Sequence, residues 1–133
     1  MNAAAAPTRF APSAFDDPMS LPQILFSFSG RVPRKVYWQY GVLGPLLVSA
    51  MLEMLLGIAG VSERRIEAAT TLLLVWPCAA VAVKRWHDRN RSGWWALIYL
   101  VPLIGLVWTL IECGLLRGSA GFNRFGPDLT GRF

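Results

Sequence analysis

The chain predicts an all-α membrane protein with three hydrophobic transmembrane helices, preceded by a short interfacial amphipathic helix. Three observations lead there. Its 133 residues are 54% hydrophobic with a mean hydropathy of +0.42, above the roughly 45–50% apolar content of ordinary soluble domains. Three long apolar runs, over 40–61, 66–83 and 94–116, are close to the ~20 residues that cross a ~30 Å hydrocarbon core. The links between them collect basic and aromatic residues, as expected where a helix leaves the hydrocarbon, because indole rings favour the interface and Lys/Arg favour anionic headgroups on the cytoplasmic side.

The charge of +5 and pI near 9.9 raise the question of nucleic acid, which clustered Lys/Arg would bind. Here the basic residues flank apolar spans, so anionic lipid is the expected partner and nucleic acid is not. Cys78 and Cys113 lie inside apolar runs, where cysteine behaves as a small hydrophobe. Neither has ligand spacing to a histidine or to another cysteine, so no metal, disulfide or cofactor is expected.

In chain order, residues 1–19 are rich in Ala, Pro and Ser and lack the apolar core of a secretory signal, so they read as a disordered tail. Ser20-Leu21-Pro22-Gln23 has the form of a capped helix start. Leu21, Ile24, Leu25 and Phe28 follow at helical spacing, a stripe suited either to the membrane interface or to the protein's own spans. Gly30 to Trp38 forms a basic and aromatic collar ahead of the first span, which contains Pro45 and Glu53. Gly60 and Ser62 mark a tight turn into the second span, which carries Pro77 and ends in Lys84 and Arg85.

Lys84 to Trp95 holds four basic residues, the only histidine and three of the six tryptophans. Ser92 then caps the third run, which contains Pro102, Gly105 and Glu112. Residues 20–128 thus form a single membrane domain and 129–133 a tail. With three crossings, the amino terminus shares the cytoplasmic side with eight of the 13 basic residues, and the carboxyl tail lies outside. A re-entrant third segment bent at Val101–Gly105 returns the tail to the cytoplasm and leaves only Arg64 and Arg65 opposite. Three crossings are preferred because non-helical backbone is not tolerated in lipid.

Three blocks carry a resemblance: Phe28-Ser29-Gly30-Arg31-Val32-Pro33-Arg34-Lys35-Val36-Tyr37-Trp38, Arg85-Trp86-His87-Asp88-Arg89-Asn90-Arg91-Ser92-Gly93-Trp94-Trp95, and Gly121-Phe122-Asn123-Arg124-Phe125-Gly126-Pro127-Asp128. Together they resemble the signature of the domain-of-unknown-function 805 family, small bacterial inner-membrane proteins with about three hydrophobic segments. Trp86 stands where the family usually has leucine, and the amino-terminal extension is long for it. The resemblance implies location and architecture and supplies no activity or catalytic residues.

His87, Asp88 and Ser92 invite a nucleophile reading, but adjacent side chains at a helix end point apart. An ion pair of Asp88 with Lys84 or Arg85 and a capping role for Ser92 are the expected alternative. Glu53, mid-span, is expensive in hydrocarbon and marks a candidate intramembrane polar site. It serves either helix packing or, in an oligomeric transporter or channel subunit, an ion path. Glu112 is expected to snorkel or pair with Arg117. Arg31, Arg34, Arg85, His87, Asp88, Arg89, Trp94, Trp95 and Arg124 are the candidate binding residues for an anionic headgroup or a partner membrane protein. A cup formed by the arginines among them requires the re-entrant path. The expected role is non-enzymatic.

Overall fold

A computed structural model describes residues 19–133, so the expected disordered tail lies outside the described residues apart from Met19. The described chain is helical: α1 (Leu21–Phe26), α2 (Arg34–Ile58), α3 (Glu63–Asp88) and α4 (Ile104–Leu115), with a 3₁₀ segment over Gly93–Leu100. Both α2 and α3 are long and apolar enough to cross a membrane.

The Gln23 side chain accepts from the Ser20 amide at 2.9 Å, as the capping box requires. The helix is shorter than its apolar stripe. Ile24 and Leu25 pack into the protein's own core, Leu21 stays exposed, and Phe28 lies beyond the helix with its ring edge-on to Trp76.

Helix α2 begins six residues before the expected span. Between Tyr37 and Leu43 it widens to π geometry, with the Gly44 amide donating to the Gln39 carbonyl five residues back. Pro45 supplies the reason: it lacks an amide hydrogen and its ring crowds the carbonyl four residues earlier, so the ladder slips by one residue. At the far end Gly60 (φ 76°) closes the helix, its amide bonding Gly57 O and that of Val61 bonding Leu56 O, both at 3.0 Å. This is the Schellman arrangement. Asn90 (φ 58°) repeats it after α3, with Arg91 N donating to Trp86 O at 2.9 Å.

The third apolar run departs from the expected single helix. Ser92 caps its start by accepting from Trp94 N, but the chain breaks at Val101, whose extended backbone (φ −93°, ψ 104°) is the conformation that a following proline favours. Leu103 (φ 60°, ψ −60°) then makes a γ-turn, with Ile104 N donating to Pro102 O at 2.6 Å. Helix α4 returns alongside the 3₁₀ segment, and Gly105 passes against the Ile98 backbone with no room for a side chain. The run is therefore a hairpin, and both its ends meet the carboxyl end of α3. Neither arm reaches the length of a crossing helix.

The core gathers at that same end, where Ile24, Val32, Val36, Tyr37, Val81, Trp86 and Cys113 are buried together. Toward the α2–α3 turn the surface is apolar instead: no residue of Gly44–Ile58 is buried, and Leu47, Met54, Ile58 and Leu72 stand exposed.

Candidate functional site

The carboxyl ends of α1, α3 and α4 and the amino end of α2 meet in one plate, closed over by residues 116–133. A helix carboxyl end presents carbonyls without intrahelical partners and carries partial negative charge. Three such ends brought together create a demand for donors and positive charge. The basic residues of the sequence blocks meet it.

Lys84, buried, donates all three ammonium hydrogens to the end of α1: to Gln23 O at 3.0 Å, Ile24 O at 2.7 Å and Ser27 O. At the end of α4, Cys113 O accepts from Arg85 Nε at 2.6 Å and Leu116 O from Arg85 Nη2 at 2.5 Å. Between them, Gly114 O accepts from Trp38 Nε1 at 3.1 Å and Leu115 O from Arg34 Nη1 at 2.8 Å. The end of α3 is capped by the tail. Ser119 donates its amide (2.8 Å) and hydroxyl (3.0 Å) to Asp88 O, and Asn123 Nδ2 donates to His87 O at 3.0 Å.

Arg31 is the hub. Its side chain is 1% exposed, and its five N–H groups are all engaged: Asp88 Oδ1 accepts from Nε (3.1 Å) and Nη2 (2.9 Å), Ser119 O from Nη2 (2.5 Å), and Gly121 O (2.7 Å) and Gly126 O (3.1 Å) from Nη1. The other carboxylate oxygen of Asp88 pairs with Arg85, the i,i+3 bond expected from the sequence; Lys84 does not take part. Gly118 lies against this carboxylate, where a Cβ would come within 2.5 Å of Asp88 Cγ.

The expected arginine cup therefore needs correction. Its members do converge, but Arg31 and Arg85 are buried and bound internally, with no free face for a headgroup. Arg89 pairs with Glu112 at 3.1 Å and donates to Arg117 O at 2.6 Å. Glu112 is buried and also lies 3.8 Å from Arg91; the expected pairing with the Arg117 side chain is not made. His87 turns away from Asp88: its Nδ1 lies 3.1 Å from Gly30 O, and its ring stacks on Phe125 with centroids 3.9 Å apart. Arg124 is exposed above that Phe125 ring at 4.7 Å. Trp86 is buried against Trp95 (5.8 Å), over which Arg91 lies at 5.1 Å, while Trp94 is largely exposed. Glu53 is far from the plate along α2, exposed, and without a hydrogen-bonding or ionic partner among the described residues.

What remains open is a recess of about 390 Å³ beside the hub, lined by Arg34, Lys35, Arg117, Gly118 and Phe133, with Asp88 at its floor. Lys35 and Arg117 were not singled out as site residues, because only the hairpin carries Arg117 back to the start of α2. Asp128 stabilises the tail nearby. Slight burial opposes ionisation of its carboxyl, but hydrogen bonds from Thr130 and the Arg31 charge outweigh this and hold it below the usual carboxylate range.

Residues 25–127 match the family model described as protein of unknown function DUF805. The chain belongs to the DUF805 family. Three Escherichia coli relatives share its sequence along most of their length. The inner membrane protein YhaI is 37% identical over 102 residues, covering 76% of this chain and 84% of its own. The inner membrane protein YhaH is 38% identical over 105 residues, covering 76% and 85%. The uncharacterized protein YiiR is 36% identical over 136 residues, covering 83% and 90%. No solved structure matches the chain. The DUF805 match covers all of α2, α3 and α4 and most of the plate, so this is a membrane protein whose family signature coincides with the caps of its helix ends.

Proposed function

We propose that this DUF805 protein crosses the inner membrane twice, with a re-entrant third segment and both described ends cytoplasmic, and binds an anionic lipid headgroup at its plate without catalysing a reaction. The recess between Arg34, Lys35 and Arg117 carries the reading. The Asp88 charge at its floor is already matched by Arg31 and Arg85, so the three rim cations present surplus positive charge at the depth where α2 enters the membrane. A phosphate there gains charge-assisted hydrogen bonds from guanidinium groups. The topology is supported by the hairpin and by charge: only Arg64 and Arg65 of the 13 basic residues lie at the α2–α3 turn.

In nanodiscs, native mass spectrometry is expected to show phosphatidylglycerol retained over phosphatidylcholine, and Arg34→Gln/Arg117→Gln to lose that preference. Equal retention of both lipids by the unaltered protein refutes the headgroup reading. A carboxyl-terminal fluorescent-protein fusion is expected to fold in the cytoplasm, whereas an active periplasmic phosphatase fusion at the same point overturns the topology.

Glu53 favours a second reading. An outward carboxyl in mid-span is costly in lipid unless covered, which a second copy or a partner subunit of a transporter achieves. Glu53→Leu is then expected to change the oligomeric mass in mild detergent, and an unchanged mass removes the reading.

A further inference from the structure

A second cavity, on the other side of α3 from the lipid-headgroup recess, belongs to neither reading. It is a groove of about 970 Å³ between α2, α3 and the Gly93–Leu100 segment, within the size range of small-molecule sites. Its depth comes from small residues where helices meet, namely Gly41, Ala79, Ala82 and Ala96, and Leu97 and Leu100 continue the wall. Apolar surface dominates the lining, and Trp94 and Leu100 at its edge are among the most exposed apolar residues of the chain. With α2 and α3 crossing the membrane, such a groove opens onto hydrocarbon.

One end is polar, and its hydrogen-bonding sense can be assigned. His87 Nδ1 lies 3.1 Å from Gly30 O. A carbonyl oxygen only accepts, so Nδ1 carries the proton, and in the neutral ring Nε2 is left as an acceptor. Nε2 sits against Gly93, where a Cβ would come within 3.2 Å of it, and no donor of the described chain reaches it. Gly93 lines the groove, as do His87 and Ser92. The Ser92 oxygen accepts from Trp94 N at 3.5 Å, which leaves its hydrogen free to donate.

An acceptor and a donor lining the same end of the groove are the complement of a hydroxyl group, which offers one of each. Charged heads fit less well. The Nε2 lone pair repels a phosphate or carboxylate oxygen, and the Arg124 charge over the Phe125 ring that stacks on His87 disfavours an ammonium.

We propose that this groove holds the hydrocarbon chain of an uncharged amphiphile whose hydroxyl group, as in a monoacyl- or diacylglycerol, bonds His87 Nε2 and Ser92 Oγ. The inference uses the membrane crossing of α2 and α3 and is otherwise independent of headgroup binding at the recess.

The test is native mass spectrometry of the full chain in detergent, titrated separately with 1-monooleoylglycerol, methyl oleate and oleate. One monooleoylglycerol per chain is expected, bound at least tenfold more tightly than either comparison lipid. Ala79→Phe fills the groove and is expected to abolish binding. His87→Phe keeps the stack on Phe125 but removes the acceptor, and is expected to bring monooleoylglycerol and methyl oleate within twofold of each other. Equal affinities in the unaltered protein, or full binding by Ala79→Phe, overturn the proposal. Ala79 makes none of the plate's hydrogen bonds, so this variant remains informative where His87→Phe does not fold. Arg117→Gln separates the two sites: it is expected to lose the phosphatidylglycerol preference and to keep monooleoylglycerol binding.

Discussion

Replacing Asp88 by asparagine is the sharpest test of the plate as a structural hub. The carboxylate receives two hydrogen bonds from Arg31 and one from Arg85, and both partner side chains are almost wholly inaccessible. In Asp88→Asn, one oxygen still accepts from Arg31, but the new NH₂ faces Arg85 donor to donor. Arg85 then keeps only the Cys113 and Leu116 carbonyls, and two buried cations share no anion. Breaking a buried pair by removing one charge typically costs about 3–5 kcal/mol, a fall in Tm on the order of 10 °C or more for a chain of this size. The assay is thermal unfolding in detergent, run as a double-mutant cycle with Arg31→Met. A coupling above about 1 kcal/mol is expected for groups in one network. A Tm within about 2 °C of the unaltered protein for Asp88→Asn, or additive single effects, would refute the hub.

Further substitutions probe the close approaches and caps. Gly118→Ala drives a methyl into the Asp88 carboxylate and is expected to cost about 1–3 kcal/mol, as overpacking does; Gly57→Ala in α2, where a Cβ meets nothing within 4 Å, is expected to be neutral or stabilising by up to ~1 kcal/mol in the same thermal assay. Gly105→Ala places a Cβ within 2.7 Å of the Ile98 carbonyl carbon, a backbone that cannot rotate away. The hairpin is expected to open, read as loss of the monodisperse peak in size-exclusion chromatography. Lys84→Met removes one donor from each of three carbonyls, leaving Gln23 O with only the Ser27 amide, so α1 is expected to undock and the chain near residues 20–30 to become protease-sensitive while α2 and α3 stay protected.

Much of the architecture is local and could be read from the residues: the capping box at Ser20, the turn at Gly60, the Ser92 cap and the Arg85–Asp88 pair. The path of the third run was also written in Pro102 and Gly105, yet its length alone argues for a crossing. What folds the run into a hairpin is the close passage of Gly105 and Ile98, a contact between two arms that no periodicity reports. The plate was legible in composition but not in purpose. Clustered arginine near a membrane reads as a headgroup site because isolated cations there face lipid. Whether a guanidinium is instead used on a carbonyl depends on partners 28 to 95 residues away, as for Arg85 with Cys113 and Arg31 with Gly126. Arg117 was overlooked for the same reason, being distant from Arg34 in the chain and adjacent only once the hairpin closes.

The engagement of Arg31 has a consequence for biosynthesis. The collar is synthesised well before residues 118–126, so Arg31 and Arg85 emerge long before the carbonyls of Cys113, Leu116, Ser119, Gly121 and Gly126 exist to receive them. Lys84 can dock α1 as soon as α3 is complete, since its acceptors precede it. Arg31 is not fully engaged until residues 119–126 close over the plate. Closure of the tail therefore completes the hub: before residues 119–126 are made, Asp88 is the sole one of the four Arg31 acceptors within reach, and afterwards every N–H of the guanidinium is engaged.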